Sequence, residues 1–332
     1  MRTTLLCLLI ALTLSSCEDY FFEPDKASSN PYDNFEYLWN ELDKKYSYFE
    51  LKNIDWDEMK TTYEARLYPN MSETELFNTL ADLMNELRDD HSNLVSPFNV
   101  SVYNVPLTKP ANYHARTIDE FYIPHAERTG SFKHAMLSGT NIAYIRYASF
   151  SDDISNTHLD YLLDKYRYTD GIILDLRDNG GGSMFNIPML LERFIDSRTL
   201  VAYTLTRNGK GRNDFSDRAT FYMNPYKGTR YTKPIMVLID RGSYSATTFF
   251  ALSTKAIPNL TLVGDTTGGG GGMPNGGQLP NGWTYRFSIS QLLDLDGNNY
   301  AEDGVPPDIL VSFDWTDLTK DEIIERAIQE ID

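Results

Sequence analysis

PIMVLID (234–240), RGSYS (241–245) and ATTFFALSTKAI (246–257) read as a buried strand, a turn and a helix in unbroken succession. The first run is apolar and of strand length, and the third keeps helical spacing until Pro258 stops it. The junction residue, Ser245, is then exposed on the carboxyl edge of a sheet. Backbone N–H groups that a helix start leaves unpaired lie beside it. Acyl-transfer enzymes put a nucleophile and its oxyanion donors at such a corner. The pattern locates a candidate site and does not by itself prove catalysis there.

The surrounding sequence repeats the alternation. NIAYIRYASF (141–150), GIILDL (171–176), TLVAYTLT (199–206), LTLVGD (260–265) and DILVSF (308–313) read as strands. THLDYLLDKYRY (157–168) and SMFNIPMLLERFI (183–195) read as helices between them. Residues 207–233 read as a polar, basic loop, and Asn281-Gly282 as the turn of a hairpin. Thr319 with Glu322 predicts the cap of a final helix. Upstream, residues 33–94 carry three stretches of helical spacing, the third opened by a capping box of Ser72 and Glu75. Residues 95–137 show no clear periodicity. The chain thus predicts an α/β domain (95–332) behind a small helical subdomain (33–94), with no internal repeat.

The start of the chain is set apart. MRTT, the apolar LLCLLIALTL and SSC form a segment too short to span a bilayer permanently, and read as a secretory signal. The ending L-S-S-C resembles the lipobox of bacterial lipoproteins, which implies lipidation of Cys17 and a tether over residues 18–32. An ordinary signal peptide cleaved nearby is the plainer alternative. The chain's two cysteines, Cys7 and Cys17, fall in this segment, so a mature domain has no thiol for disulfides, nucleophilic attack or metal binding. A net charge of −17 over 332 residues argues against nucleic acid and anionic lipid surfaces as partners. A neutral or cationic polypeptide suits it better.

Two further features bear on chemistry. Gly180, Gly181 and Gly182 follow the buried strand GIILDL and precede a helix, where glycines let the backbone turn sharply and aim N–H groups. No Walker lysine accompanies them, so an oxyanion donor facing Ser245 is the sharper reading and a structural turn the bland one. Five histidines could supply a base. His91, at the end of the third helix in ELRDDHSNL, is as readily a partner of the helix dipole.

DLRDNGGG (175–182), VLIDRGSYSA (237–246), LVGDTTGG (262–269) and EDGVPPDILV (302–311) follow one another in the order seen in the C-terminal processing, or tail-specific, serine peptidases, which this chain resembles over about residues 141–313. The resemblance implies Ser245 as nucleophile, with an oxyanion hole from the N–H of Ala246 and a glycine of the triplet, best Gly182, with Gly181 beside it. The commoner branch pairs its serine with a lysine in G-x-T-x-G-K. Here Gly264-Asp265-Thr266-Thr267-Gly268-Gly269 puts glycine at the lysine position, and Lys255 points away along its helix. The chain is instead similar to the branch of tricorn protease, which implies His91 as general base and Glu302 as the acid that orients it. Asp90 stands before His91 where that branch has a small hydroxyl residue.

The resemblance further implies a crotonase/ClpP-like α/β fold that needs no metal and no cofactor; no PDZ module, common in that family, is expected, since residues 92–137 are too few for one. It implies a polypeptide substrate, and contact with a membrane only through the N-terminal lipid. The cell envelope, at the outer membrane, is the expected location. A non-catalytic ligand-binding protein on the same fold is the rival, with Gly268–Gly272 as a flap over an apolar ligand. A crotonase-type enzyme acting on acyl thioesters is a third reading. DLDGNNYAEDG (294–304) has its glycine too early for a calcium loop and reads as a polar hairpin. The seven basic residues of 207–233 read as a solvated face or, more sharply, as a receiver for a substrate carboxylate.

Overall fold

A computed structural model describes residues 27–103 and 111–332. The signal segment, Cys17 and most of the tether lie outside the described residues. Three helices come first: α1 (Pro31–Lys45), α2 (Trp56–Glu64) and α3 (Glu73–Asn85). Helix α1 opens with proline at its first position and Asn30 capping Tyr32 N–H, so the helical region begins inside the expected tether. The Ser72–Glu75 capping box is formed at α3.

After α3 the chain runs through β1 (Asn93–Val95), β2 (Glu127–Thr129), β3 (Phe132–Met136), β4 (Ile142–Tyr147), α4 (Asn156–Lys165), β5 (Gly171–Asp175) and α5 (Asn186–Leu191). It continues as β6 (Thr199–Thr206), β7 (Ala219–Met223), β8 (Ile235–Ile239), α6 (Ala246–Thr254) and β9 (Leu260–Gly264). Strands β10 (Pro274–Gln278), β11 (Thr284–Ser288), β12 (Ser290–Leu293) and β13 (Ile309–Leu310) and helix α7 (Glu322–Ile331) complete it.

The main sheet has the order β13-β9-β8-β5-β4-β3-β2. Strands β4, β5, β8, β9 and β13 are parallel, and β3 and β2 join antiparallel at one edge. Strands β5 and β8 are buried along their whole length, which is why both read as continuous apolar runs. Helices α4, α5 and α6 pack on one face and α7 on the other. The carboxyl ends of β5 and β8 therefore open onto the glycine turn and Ser245.

Two smaller sheets frame that edge, β1-β11-β10 and β12-β6-β7. One extended segment serves both, changing sheets at Ile289 between β11 and β12. The hairpin at Asn281-Gly282 forms as expected, with Gly282 at φ 90°. Leu279, Trp283, Tyr285 and Phe287 from this hairpin fill the core of α1–α3. The helical region thus shares its core with a segment about 200 residues later instead of closing on its own.

Several expectations are corrected. The basic loop contains β7, paired antiparallel with β6, because alternating residues of ATFYM pack on that sheet. The final helix is capped by Asp321, not Thr319: Asp321 accepts from the N–H groups of Ile323 and Ile324, and Thr319 hydroxyl donates to Asp317. Residues 294–304 form a turn, not a hairpin, since β12 before them pairs with β6.

Candidate active site

The strand-to-helix corner holds Ser245 at φ 57° and ψ −115°, a conformation that L-residues rarely adopt. Such a backbone stores roughly 1–3 kcal/mol and persists only where its surroundings over-determine it. Here Ser245 N–H donates to Gly269 O at 3.0 Å, and Tyr244 N–H to Asn179 O at 3.0 Å. The strain turns the Ser245 hydroxyl outward, where His91 Nε2 meets its Oγ at 2.9 Å across 154 residues of sequence.

Asp89 sets the position of His91. Its Oδ1 accepts the His91 N–H at 2.8 Å, and its Oδ2 accepts the hydroxyls of Ser92 (3.0 Å) and Ser288 (3.1 Å). Tyr244 packs edge-on against the imidazole, with ring centroids 5.1 Å apart. Burial lowers the imidazole pKa below its ordinary value; Asp89 opposes this, and Arg286 adds to it. The Gly272 backbone also favours the charged ring, although Nδ1 makes no hydrogen bond of ordinary geometry.

Glu302 lies in the same buried cluster, but its bonded partner is Lys52. Lys52 Nζ donates to Glu302 Oε1 at 2.8 Å and to Arg88 O at 2.9 Å, tying α2's preceding loop to the His91 turn and the C-terminal region. Burial, reinforced by Asp89 and only partly offset by Lys52, pushes the Glu302 carboxyl up to about 8. Its Oε2 is buried without a partner, as is His91 Nδ1. Of the two acids near His91, the one whose charge acts on the ring most strongly is Asp89. The sequence does not single out Asp89; its one local signal is its place two residues before His91.

The glycine turn reaches Ser245 through Asn179. Asn179 Oδ1 accepts the N–H groups of Gly181 (3.0 Å) and Phe150 (3.2 Å) and the hydroxyl of Thr247 (2.9 Å). Gly181 is therefore corrected as an oxyanion donor: its N–H is already engaged. The N–H groups of Gly182 and Ala246 have no partner among the described residues. Gly181 instead allows close approach, since a Cβ there would stand 2.8 Å from Ser245 Cβ and 2.9 Å from Ala246 N.

The glycine run 268–272 is a packed seam, which overturns its reading as a flap. Gly268 N–H donates to Ser243 O at 2.7 Å, and a Cβ on Gly269 would lie 2.0 Å from Glu302 O. Lys255 pairs with Asp308 at 2.6 Å, away from the serine. None of the basic loop's cations lines the cleft, and several are engaged elsewhere: Arg212 holds Asp43 and Asp57, Arg230 holds Asp196, and Lys233 donates to Thr169 O. Among the described residues no group of three or more His, Cys, Asp or Glu is arranged to hold a metal ion.

In front of Ser245 opens a cleft of about 940 Å³. Met184, Phe185, Phe221, Phe249 and Leu292 give it apolar walls, with Phe185 85% exposed at the rim. A hydroxyl bonded to an imidazole, two free N–H groups beside it and an apolar cleft can together attack a carbonyl and hold the resulting oxyanion.

This chain belongs to peptidase family S41, whose profile matches residues 141–311. The tricorn protease C1 domain profile matches residues 30–85. Carboxy-terminal processing protease CtpA of Bacillus subtilis (strain 168) is 28% identical over 178 residues, 53% of this chain and 36% of that protein. The chain thus spans about a third of the length of such curated relatives. A solved structure from Parabacteroides merdae ATCC 43184, described as a candidate peptidase, is 37% identical with a TM-score of 0.87, covering 92% of this chain and 97% of that one. Tricorn protease, at 17% identity and TM-score 0.56, shares the fold over 92% of this chain and 37% of its own.

Proposed function

We propose that the chain is a serine peptidase that hydrolyses peptide bonds in proteins or peptides through an acyl-enzyme on Ser245. The observation that carries this is the 2.9 Å contact between His91 Nε2 and Ser245 Oγ at a strained corner. His91 takes the hydroxyl proton as Ser245 Oγ attacks the carbonyl carbon, and returns it to the leaving amine as the C–N bond breaks. The N–H groups of Ala246 and Gly182 receive the oxyanion. Water, deprotonated by the same imidazole, then releases the acyl group. Glu302 orients the ring: a hydrogen bond from His91 Nδ1 to Glu302 Oε2, direct or through one water, would satisfy two buried atoms that otherwise lack partners.

The same reading extends to a crotonase/ClpP-like fold without a PDZ module, to a lipid anchor at Cys17 and to an envelope location at the outer membrane. Fluorophosphonate labelling and peptide cleavage test the chemistry. Ser245→Ala should abolish labelling, and His91→Ala should reduce turnover by about 10⁴-fold or more. Glu302→Gln should lower kcat by about 10²-fold or more with little change in KM. Labelling that survives in Ser245→Ala would sink the proposal, and turnover of an acyl thioester without peptide cleavage would favour acyl transfer to another acceptor.

A further inference from the structure

The cleft holds, among the described residues, one side chain of permanent charge, Arg286, and no Asp or Glu. Arg286 stands on β11 directly opposite Asn93 of β1, two residues along from His91. Its Nε donates to Asn93 Oδ1 at 2.7 Å, which fixes the plane of the guanidinium. Its two terminal nitrogens have neither a hydrogen-bond nor a carboxylate partner among the described residues. Elsewhere this acidic chain pairs its cations readily, as Arg177, Arg212, Arg230 and Lys255 all show. A planar fork held at its base with its two outer N–H edges open matches a carboxylate in bidentate geometry.

The side of the cleft follows from the base. His91 must reach the leaving amine, so the wall that carries His91 faces the leaving-group half of the substrate. The β1–β11 ladder puts Arg286 on that wall, and Gly182, Met184 and Phe185 line the same cleft. We propose that Arg286 is a specificity-determining residue that receives a carboxylate lying beyond the scissile bond, either the substrate's own C-terminus or an Asp or Glu side chain. This rests on the peptidase reading. It also moves the carboxylate-receiving role from the basic loop, none of whose basic residues lines the cleft, to a single arginine inside it.

The test uses the whole chain and one peptide whose cleaved bond has been located by mass spectrometry. Four matched forms are compared: free C-terminal acid, C-terminal amide, amide with Glu after the bond, and amide with Glu before it. The wild type should favour at least one carboxylate-bearing form over the plain amide by about fivefold to tenfold in kcat/KM. Which of the free acid and the downstream Glu is favoured identifies the source of the carboxylate. That ratio should fall toward one in Arg286→Gln and return in part in Arg286→Lys. Equal rates on the plain amide, the free acid and the downstream-Glu form, a ratio that persists in Arg286→Gln, or a preference confined to Glu before the bond would each overturn the assignment. Cleavage without preference removes this inference alone, whereas no cleavage and no fluorophosphonate labelling removes the peptidase reading with it.

Discussion

His91 shows how little of an imidazole's behaviour is set by its own identity. Its burial favours the neutral ring, Arg286 does the same, and Asp89 pulls the other way. A general base must be neutral to work, so a lowered pKa keeps it active at lower pH. The acid limb of kcat/KM is therefore expected below the ordinary histidine value, rather than in the range of roughly pH 6–7 that an unperturbed imidazole would give. Arg286→Gln removes a positive charge that disfavours the imidazolium, so it should move that limb to higher pH. A pH–rate profile of the two proteins measures both effects, and a limb unchanged by the substitution would contradict the electrostatic account. The residues behind the ring were partly legible in sequence. Glu302 was found through its motif, but its pairing with Lys52, 250 residues away, has no local signature.

Asn179 joins two turns that the sequence presents separately. Its side-chain oxygen satisfies Gly181, Phe150 and Thr247 together, and its backbone oxygen holds Tyr244 beside Ser245. Asn179→Ala strands buried donors, each of which costs about 1–3 kcal/mol when left unmade. It should therefore destabilise the protein by at least about 2 kcal/mol in urea unfolding. It should also cut kcat/KM by about 10²-fold, as loss of an aligned oxyanion donor does. Normal turnover in a destabilised variant would show that the glycine turn holds its place without it. The strand–turn–helix and the glycine turn were readable because their causes are local: apolar runs, positive-φ positions and a proline stop. The glycine run 268–272 misled because glycine in sequence signals freedom, whereas here each lacks a side chain so that neighbouring backbone or side-chain atoms can approach.

Arg177 binds the halves of the molecule. It is fully buried, holds Asp175 at 2.7 Å and Asp321 at 2.9 Å, and so links the end of β5 to the cap of α7. Burial alone would raise the Asp175 carboxyl, but Arg177 and Arg146 outweigh it and hold it at about 2. A carboxyl depressed in the folded state contributes stability above its unfolded value, and that stability is lost as the pH falls from about 4 toward 2. Arg177→Met leaves the buried Asp321 without its cation and Asp175 with Arg146 alone, and should cost about 3–5 kcal/mol at neutral pH, read by urea denaturation. A loss below about 1 kcal/mol would mean that the acids find other partners. The α/β alternation, the strand–turn–helix corner at Ser245 and the glycine turn were present in the linear pattern, since periodicity and turn residues act over a few neighbours at a time, whereas His91 was singled out by the resemblance and not by its local sequence. Which acid influences the imidazole, which arginine stands unpaired in the cleft, and how the N-terminal helices complete their core from a distant hairpin were not. Those outcomes depend on side chains 150 to 250 residues apart meeting in a buried space, where desolvation and pairing are set by the whole fold.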